Sequence, residues 1–228
     1  MVVNFLGNKR TSLVDAPPAV NVNEQQSRIL WMSCAVLLDY PDDDFFTRLD
    51  AVEENVSVLP AEVAESLRTF VDFTRSHTLR ELQTHYVDTF DQRRRCSLYL
   101  SYYATGDTRQ RGAALISFKE MLAACGFEQS RDELPDHLCV VLEAAAQENE
   151  SIAAQVLATH RDGIEVLRTA LHARKSPYAH LIDALTATLP ELDETTRERY
   201  LSLVTAGPPT EMVGQSLPFP TSEPEARS

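Results

Sequence analysis

No stretch of this sequence approaches the roughly twenty uninterrupted apolar residues that a membrane-crossing helix needs, so a spanning segment is not expected. No Cys-x-x-Cys pair occurs either. The four cysteines, Cys34, Cys96, Cys125 and Cys139, are scattered, and three lie within apolar helical patterns; buried reduced thiols are expected over a zinc knuckle or a redox pair. The alternating pattern of a half-buried strand is missing throughout. Gly106 and Gly112 belong to neither a GxGxxG nor a Walker pattern and follow no strand, which argues against those modes of nucleotide binding. Positive charge is also scarce. The formal net charge is −13, and the only dense basic cluster, Arg93-Arg94-Arg95, reads as a solvated turn. A nucleic-acid surface needs basic patches to neutralise phosphate, so nucleic acid is not an expected partner. An acidic chain suits basic partners, with an attraction that salt weakens.

What is present is helical periodicity. With 43% apolar residues over 228 positions, the chain can bury one substantial core, and one domain is the default. Ile29, Met32, Val36, Leu37 and Tyr40 share a helical face between Gln25 and Tyr40, and Pro41 with Asp42, Asp43 and Asp44 closes that helix. Trp31 lies near that face. Pro60 opens a second stripe of Val63, Leu67, Phe70 and Val71, and Leu79, Leu82, Tyr86 and Phe90 form a third. Leu98 to Ala104 is apolar and tyrosine-rich and ends at Gly106. Asp107-Thr108-Arg109-Gln110 then reads as a capping box for a helix that turns Ala114, Leu115, Phe118 and Leu122 inward and stops at Gly126. Ile152, Val156, Ile164, Leu167 and Leu171 sustain a long helix to Arg174-Lys175, and Leu181, Ile182, Leu185 and Leu189 mark a shorter one ending at Pro190. A last helix is expected over 194–204. The expected fold is all-α, a single-domain bundle of about eight to ten helices over 25–204, with a flexible arm at 1–24 and a disordered proline-rich tail at 205–228. The basic residues of the first ten positions come after the apolar ones, and no apolar core of a signal peptide comes next; a cytoplasmic protein is expected.

The stretch Glu133-Leu134-Pro135-Asp136-His137-Leu138 places a helix-starting proline, an acid and a histidine in succession. Pro135 has no N–H to lose and a preset φ, so a helix is expected to run from it with Leu134 or Glu133 as cap. Leu138, Val141, Leu142 and Ala145 then form its apolar stripe, leaving Asp136 and His137 near a rim. Three roles compete for the pair: an ordinary helix start, a binding rim for a ligand's backbone or basic groups, and catalysis with Asp136 orienting His137. Adjacent helical residues diverge by about 100°, which ranks catalysis last. His77, Glu81 and His85 share a face at i, i+4 and i+8. This is a conceivable metal site, yet it has no fourth ligand and no HExxH pattern, so a solvated face is preferred. A helical metal-dependent enzyme using these residues with His137 is the alternative reading, and an acidic helical regulator is a third.

Three segments in order, Tyr86-Val87-Asp88-Thr89-Phe90-Asp91, then Gly106-Asp107-Thr108-Arg109-Gln110-Arg111-Gly112, then Glu133-Leu134-Pro135-Asp136-His137-Leu138 with Leu142-Glu143, resemble the successive motifs of NarJ-type nitrate reductase molybdenum cofactor assembly chaperones. The likeness covers roughly residues 25 to 175. It implies an all-helical, non-catalytic cytoplasmic protein without a cofactor of its own. Such a protein binds the apo catalytic (alpha) subunit of respiratory nitrate reductase, including its N-terminal peptide, until the molybdenum cofactor is inserted, and delays membrane attachment. It is not a stable subunit of the mature enzyme; cofactor-delivery proteins are further candidate contacts. Carried over by position, the resemblance assigns client-peptide binding to Tyr86, Phe90, Asp136, His137, Leu138 and Glu143, and a motif turn to Gly106, Asp107, Arg109 and Arg111. A groove is then expected between the helix of Tyr86 and the helix beginning at Pro135, with a client's basic groups near Asp136 or Glu143. Tyr86 and Phe90 at i and i+4 suit a core equally well, and Arg109 and Arg111 suit surface pairing within the turn.

Overall fold

The computed structural model describes residues 15–129, 132–147 and 152–189. Ten α-helices make up the described part: α1 (Glu24–Leu37), α2 (Phe45–Val56), α3 (Ala61–Arg75), α4 (Leu79–Tyr86), α5 (Leu100–Thr105), α6 (Gln110–Ala124), α7 (Leu138–Gln147), α8 (Ile152–Thr159), α9 (Arg161–Ala173) and α10 (Tyr178–Thr188). A π-helical turn, Val87–Asp91, continues α4, and a 3-10 turn, Arg94–Cys96, comes after it. The described residues contain no strand, only one isolated antiparallel bridge between Tyr99 and His137. The all-α expectation holds. The helix expected over 194–204 and the tail at 205–228 lie outside the described residues, as do positions 1–14 of the arm.

α10 is the centre of the bundle. Tyr178, Leu181, Ile182, Leu185 and the small residues Ala179, Ala184 and Ala187 bury it on all sides, which lets α1, α3 and α9 approach it together. α1 also packs along α7, whose Leu138, Val141, Leu142 and Ala145 form the stripe read from the sequence. Local signals set the ends. Asn23 and Gln26 form a reciprocal capping box on α1, and Thr78 and Glu81 form another on α4. Gly126 ends α6 with φ 68°, a left-handed conformation that favours glycine.

Several boundaries differ from the sequence reading, each for a tertiary reason. α1 stops at Leu37, and its buried face carries Leu30, Cys34 and Leu37, while Ile29, Met32 and Val36 are only partly covered. α2 has no counterpart in the sequence reading. The single long helix expected from Ile152 is two, broken at His160, whose ring Nδ1 engages the Val156 carbonyl at 2.9 Å. The capping box at Asp107 does not form; Arg109 occupies the cap position without a side-chain capping bond. α7 begins at Leu138, three residues after Pro135. α6 rests only on α5 and α8, buries just Phe118 and Leu122, and leaves Ile116 60% exposed; Ala114 and Leu115 are half-covered.

Residues 15–23 of the expected arm are tied to the bundle: Val20 N–H donates to the Ala187 carbonyl at 2.7 Å, and the Asp15 carbonyl accepts from Arg168 Nη2 at 3.0 Å. Arg168 belongs to a buried ionic row on α9. Its Nε lies 2.7 Å from Glu165 and its Nη1 3.2 Å from Asp183, while Arg161 pairs with Glu165 at 3.6 Å and His172 reaches Asp183 at 2.8 Å. Removing the guanidinium strands two carboxylates away from water. Arg168→Ala is expected to lower the unfolding free energy in urea titrations by about 3–5 kcal/mol. Arg75→Ala, whose partners Asp50 and Glu53 sit at the surface, is expected to cost no more than about 1 kcal/mol.

Candidate functional site

The site is built on the segment between the π-helical turn and α5, because this is where the bundle leaves backbone groups to be satisfied outside helices. Leu138 N–H donates to the Leu98 carbonyl at 2.7 Å, and Leu100 N–H donates to the Asp136 carbonyl at 2.9 Å. This exchange forms the Tyr99–His137 bridge. The Asp136 carboxylate completes it, accepting from the Ser101 hydroxyl at 2.5 Å and the Ser101 N–H at 3.3 Å. Asp136 is 0% exposed. It therefore does not stand at a rim, as the helix-start geometry implied: the chain from Pro135 to His137 runs as a turn and a bridge, and the acid faces inward. His137 is 5% exposed and turns the other way, its ring edge-on to Tyr99 at 5.2 Å.

Beside this seam lies a cleft of about 460 Å³. Tyr86, Phe90 and His137 line it, as do Tyr40, Tyr99 and Tyr102. The π-helical turn explains how Tyr86 and Phe90 come to face it together. Gln92 N–H reaches back five residues to the Val87 carbonyl at 3.1 Å, which widens the turn. The two rings stand 4.8 Å apart, and Tyr178 of α10 supports both from below, at 6.1 Å from Tyr86 and 4.7 Å from Phe90. Tyr40, 43% exposed, sets its edge on Tyr86 at 5.4 Å. The result is an aromatic floor of amphipathic rings.

Charge of both signs surrounds the floor. Asp39, Asp91, Asp107 and Glu133 meet Arg93, Arg94 and Arg111. Gly106, at φ 58°, turns the chain out of α5 and delivers Asp107 to the rim. Asp107 pairs with Arg111 at 3.6 Å and Arg94 at 3.8 Å, and the Arg111 guanidinium lies 5.2 Å over the Tyr99 ring. Tyr99 donates its phenol proton to Glu133 at 3.0 Å; burial, with that carboxylate, pushes its pKa up to about 12. Burial likewise raises Tyr102, with Asp107 adding to it, and burial raises Tyr86. All three phenols stay protonated donors at neutral pH.

Of the residues assigned by resemblance, the cleft brings together Tyr86, Phe90, His137, Asp107 and Arg111. Leu138 is fully buried in the core, and Glu143 and Arg109 lie outside the cleft lining. The groove expected between the Tyr86 helix and the Pro135 segment does form, yet the carboxylates it presents are Asp39, Asp91, Asp107 and Glu133 in place of Asp136 and Glu143. Sequence reasoning missed Tyr40, Tyr99, Tyr102 and the arginine pair Arg93 and Arg94, read as a mere solvated turn. The alternation of Tyr99 and Tyr102 with buried Leu98, Leu100 and Tyr103 was the available signal.

The residues of the metal reading do not converge. His77 Nδ1 contacts the Phe73 carbonyl at 2.7 Å, Glu81 caps Thr78, and His85 stacks on Tyr178 with an interplanar angle of 9°. Among the described residues, no group of three His, Cys, Asp or Glu side chains could hold a metal ion.

Fold and cleft together define a class: an all-α bundle carrying an aromatic cleft with a mixed-charge rim. A family model described as the nitrate reductase delta subunit matches residues 57–184, more than half of the sequence. The chain belongs to the nitrate reductase delta subunit family. It is 36% identical over 161 residues to the nitrate reductase-like protein NarX of Mycobacterium tuberculosis, a match covering 70% of this chain and 24% of that protein. It is thus similar to about a quarter of NarX. It is 30% identical over 171 residues to the probable nitrate reductase molybdenum cofactor assembly chaperone NarJ of Bacillus subtilis, covering 75% of this chain and 92% of that one. Against Escherichia coli K12 NarJ, a nitrate reductase molybdenum cofactor assembly chaperone, identity is 33% over 153 residues, covering 65% and 64%.

The seam and the half-buried histidine each make a testable claim. Asp136→Ala removes the acceptor of both Ser101 donors and is expected to lower stability by about 1–3 kcal/mol in thermal or urea unfolding. Asp136→Asn, which keeps one oxygen acceptor, should cost less. Burial holds the His85 imidazole below its ordinary value of about 6.5, so the unfolded chain takes up the proton first. Stability is then full above that pH and declines as pH falls from it toward the lowered folded value. His85→Gln should remove this part of the slope.

Proposed function

We propose that this protein is a dedicated chaperone for the catalytic subunit of a respiratory nitrate reductase, and that the cleft takes that subunit's N-terminal segment. The carrying observation is the cleft's make-up: an aromatic floor beside a rim of carboxylates and guanidinia, in a chain belonging to the delta subunit family. A short basic, partly apolar peptide folding as an amphipathic helix suits such a surface. Its apolar side chains would lie on Tyr40, Tyr86 and Phe90, and its basic groups would meet Asp39, Asp91 or Glu133. His137, beside Tyr99, offers a hydrogen-bonding edge at the floor.

The work is binding, not bond-making. Holding the client competent for molybdenum cofactor insertion and delaying its membrane attachment requires only that affinity for the immature subunit exceed affinity for the mature one, so that completion of the client releases the chaperone. On this reading the protein acts in the cytoplasm, carries no cofactor and is not a component of the finished enzyme. A dedicated binding protein explains why the rim is charged with both signs: opposite charges steer encounter and set register, while the aromatic floor supplies contact area.

Calorimetric titration with a peptide copying the N-terminus of the host's nitrate reductase catalytic subunit tests the proposal. Saturable binding of the native but not the scrambled peptide is expected, weakening as salt rises. Tyr40→Ala is expected to reduce affinity by about threefold to tenfold without altering the melting temperature, since Tyr40 is exposed and outside the core. Equal behaviour of native and scrambled peptides would sink the peptide-cleft mechanism.

A further inference from the structure

Gly163 sits inside α9, where a glycine costs a helix about 1 kcal/mol relative to alanine. Its surroundings explain it. A Cβ built there would lie 2.9 Å from Tyr103 Cδ2 and 3.0 Å from Tyr103 Cβ and Cγ, closer than real side chains approach. α9 and α5 can meet only because position 163 has no side chain, and the ring of Tyr103 fills the space. That ring is buried, and its phenol is placed to donate to the Ser97 carbonyl at 2.8 Å and the Arg95 carbonyl at 3.1 Å. These two carbonyls belong to the short segment that carries Arg93, Arg94 and Ser97 into the cleft lining. The C-terminal end of the segment is held by the seam to Asp136 and Leu138. Within it, the Cys96 N–H donates to the Arg93 carbonyl and the Cys96 side chain is buried. The Tyr103 phenol thus ties the middle of the segment to the bundle.

We propose that Tyr103, seated against Gly163, is a positioning residue for the arginine-bearing wall of the cleft. The phenol does not touch a client. It fixes the backbone from which Arg93 and Arg94 project, and thereby the charge pattern that a bound peptide meets at that wall. Gly163, on a helix that contributes nothing to the cleft lining, sets where the ring can stand. The binding half of this assignment rests on the peptide-cleft reading above; the positioning half does not.

Tyr103→Phe is the clean test, because it keeps the ring against Gly163 and removes only the phenol oxygen. In the free full-length protein, amide hydrogen exchange across residues 93–98 is expected to accelerate, while exchange in α10 stays as in the wild type. Unchanged exchange at 93–98 would overturn the proposal whatever the client. In titrations with the native N-terminal peptide, Tyr103→Phe should weaken binding by about threefold to tenfold and flatten its salt dependence. Arg94→Ala should then cost less in the Tyr103→Phe background than in the wild type. A purely structural role would leave the salt dependence and this coupling untouched, and full additivity would count against the proposal. Gly163→Ala, which pushes the ring instead of trimming it, is expected to reproduce the exchange change at 93–98. Failure of the wild-type protein to bind the peptide at all would remove the peptide reading, and the exchange measurement would still decide the role of Tyr103.

Discussion

The backbone exchange between Leu98 to Leu100 and Asp136 to Leu138 is the constraint on which the cleft depends. A helical bundle satisfies its main-chain groups within each helix, and any segment that leaves this scheme must find partners elsewhere. Here two non-helical segments, nearly forty positions apart in sequence, find each other. The Asp136 carboxylate then takes the Ser101 donors at the start of α5. Because the exchange is antiparallel, Tyr99 and His137 stand side by side and project on the cleft side. Tyr99 in turn supports Arg111 on its face and Glu133 at its hydroxyl. Most of one wall thus hangs on a single bridge.

Much of the bundle was legible from periodicity. The stripes of α3, α4, α7 and α10 could be read because each helix buries one continuous face against an element that does not distort it. What could not be read was decided between segments. Pro135 can open a helix, and local chemistry favours it, but the bridge to Tyr99 competes for the same backbone and wins. That competition turns Asp136 inward and leaves His137 alone to reach the cleft. Asp107 has the right spacing for a capping box, yet two arginines, Arg94 from the preceding segment and Arg111 one turn on, hold it at the rim. Arg93-Arg94-Arg95 looked like a solvated turn because nothing in the local sequence says what stands opposite it.

α9 shows the same limit from the other side. Its charged residues have the spacing of an exposed salt-bridged face, with Arg161, Glu165, Arg168 and His172 at i, i+4, i+7 and i+11. Arg161, Glu165 and Arg168 are nonetheless inside. Burying such a row brings little net stability over apolar side chains of equal size, since desolvation offsets the attraction between the ions. It does make the packing intolerant of slippage, because a shift of α9 against α10 would part Arg168 and His172 from Asp183. The helix that seats Tyr103 is thereby held in register along its length.

The π-helical turn after α4 carries a consequence for how such a chain can vary. A π-turn accommodates one residue more than an α-helical turn while the helix stays continuous. Substitutions at Val87 or Asp88 preserve that count and leave the phase of the downstream residues intact. Loss of a single residue would restore ordinary α-helical winding and rotate the chain beyond the turn by about 100°, carrying Phe90 off the surface it shares with Tyr86. Between residues 87 and 91, the number of residues therefore constrains descent more tightly than their identity does: this stretch can drift in composition, but it cannot shorten.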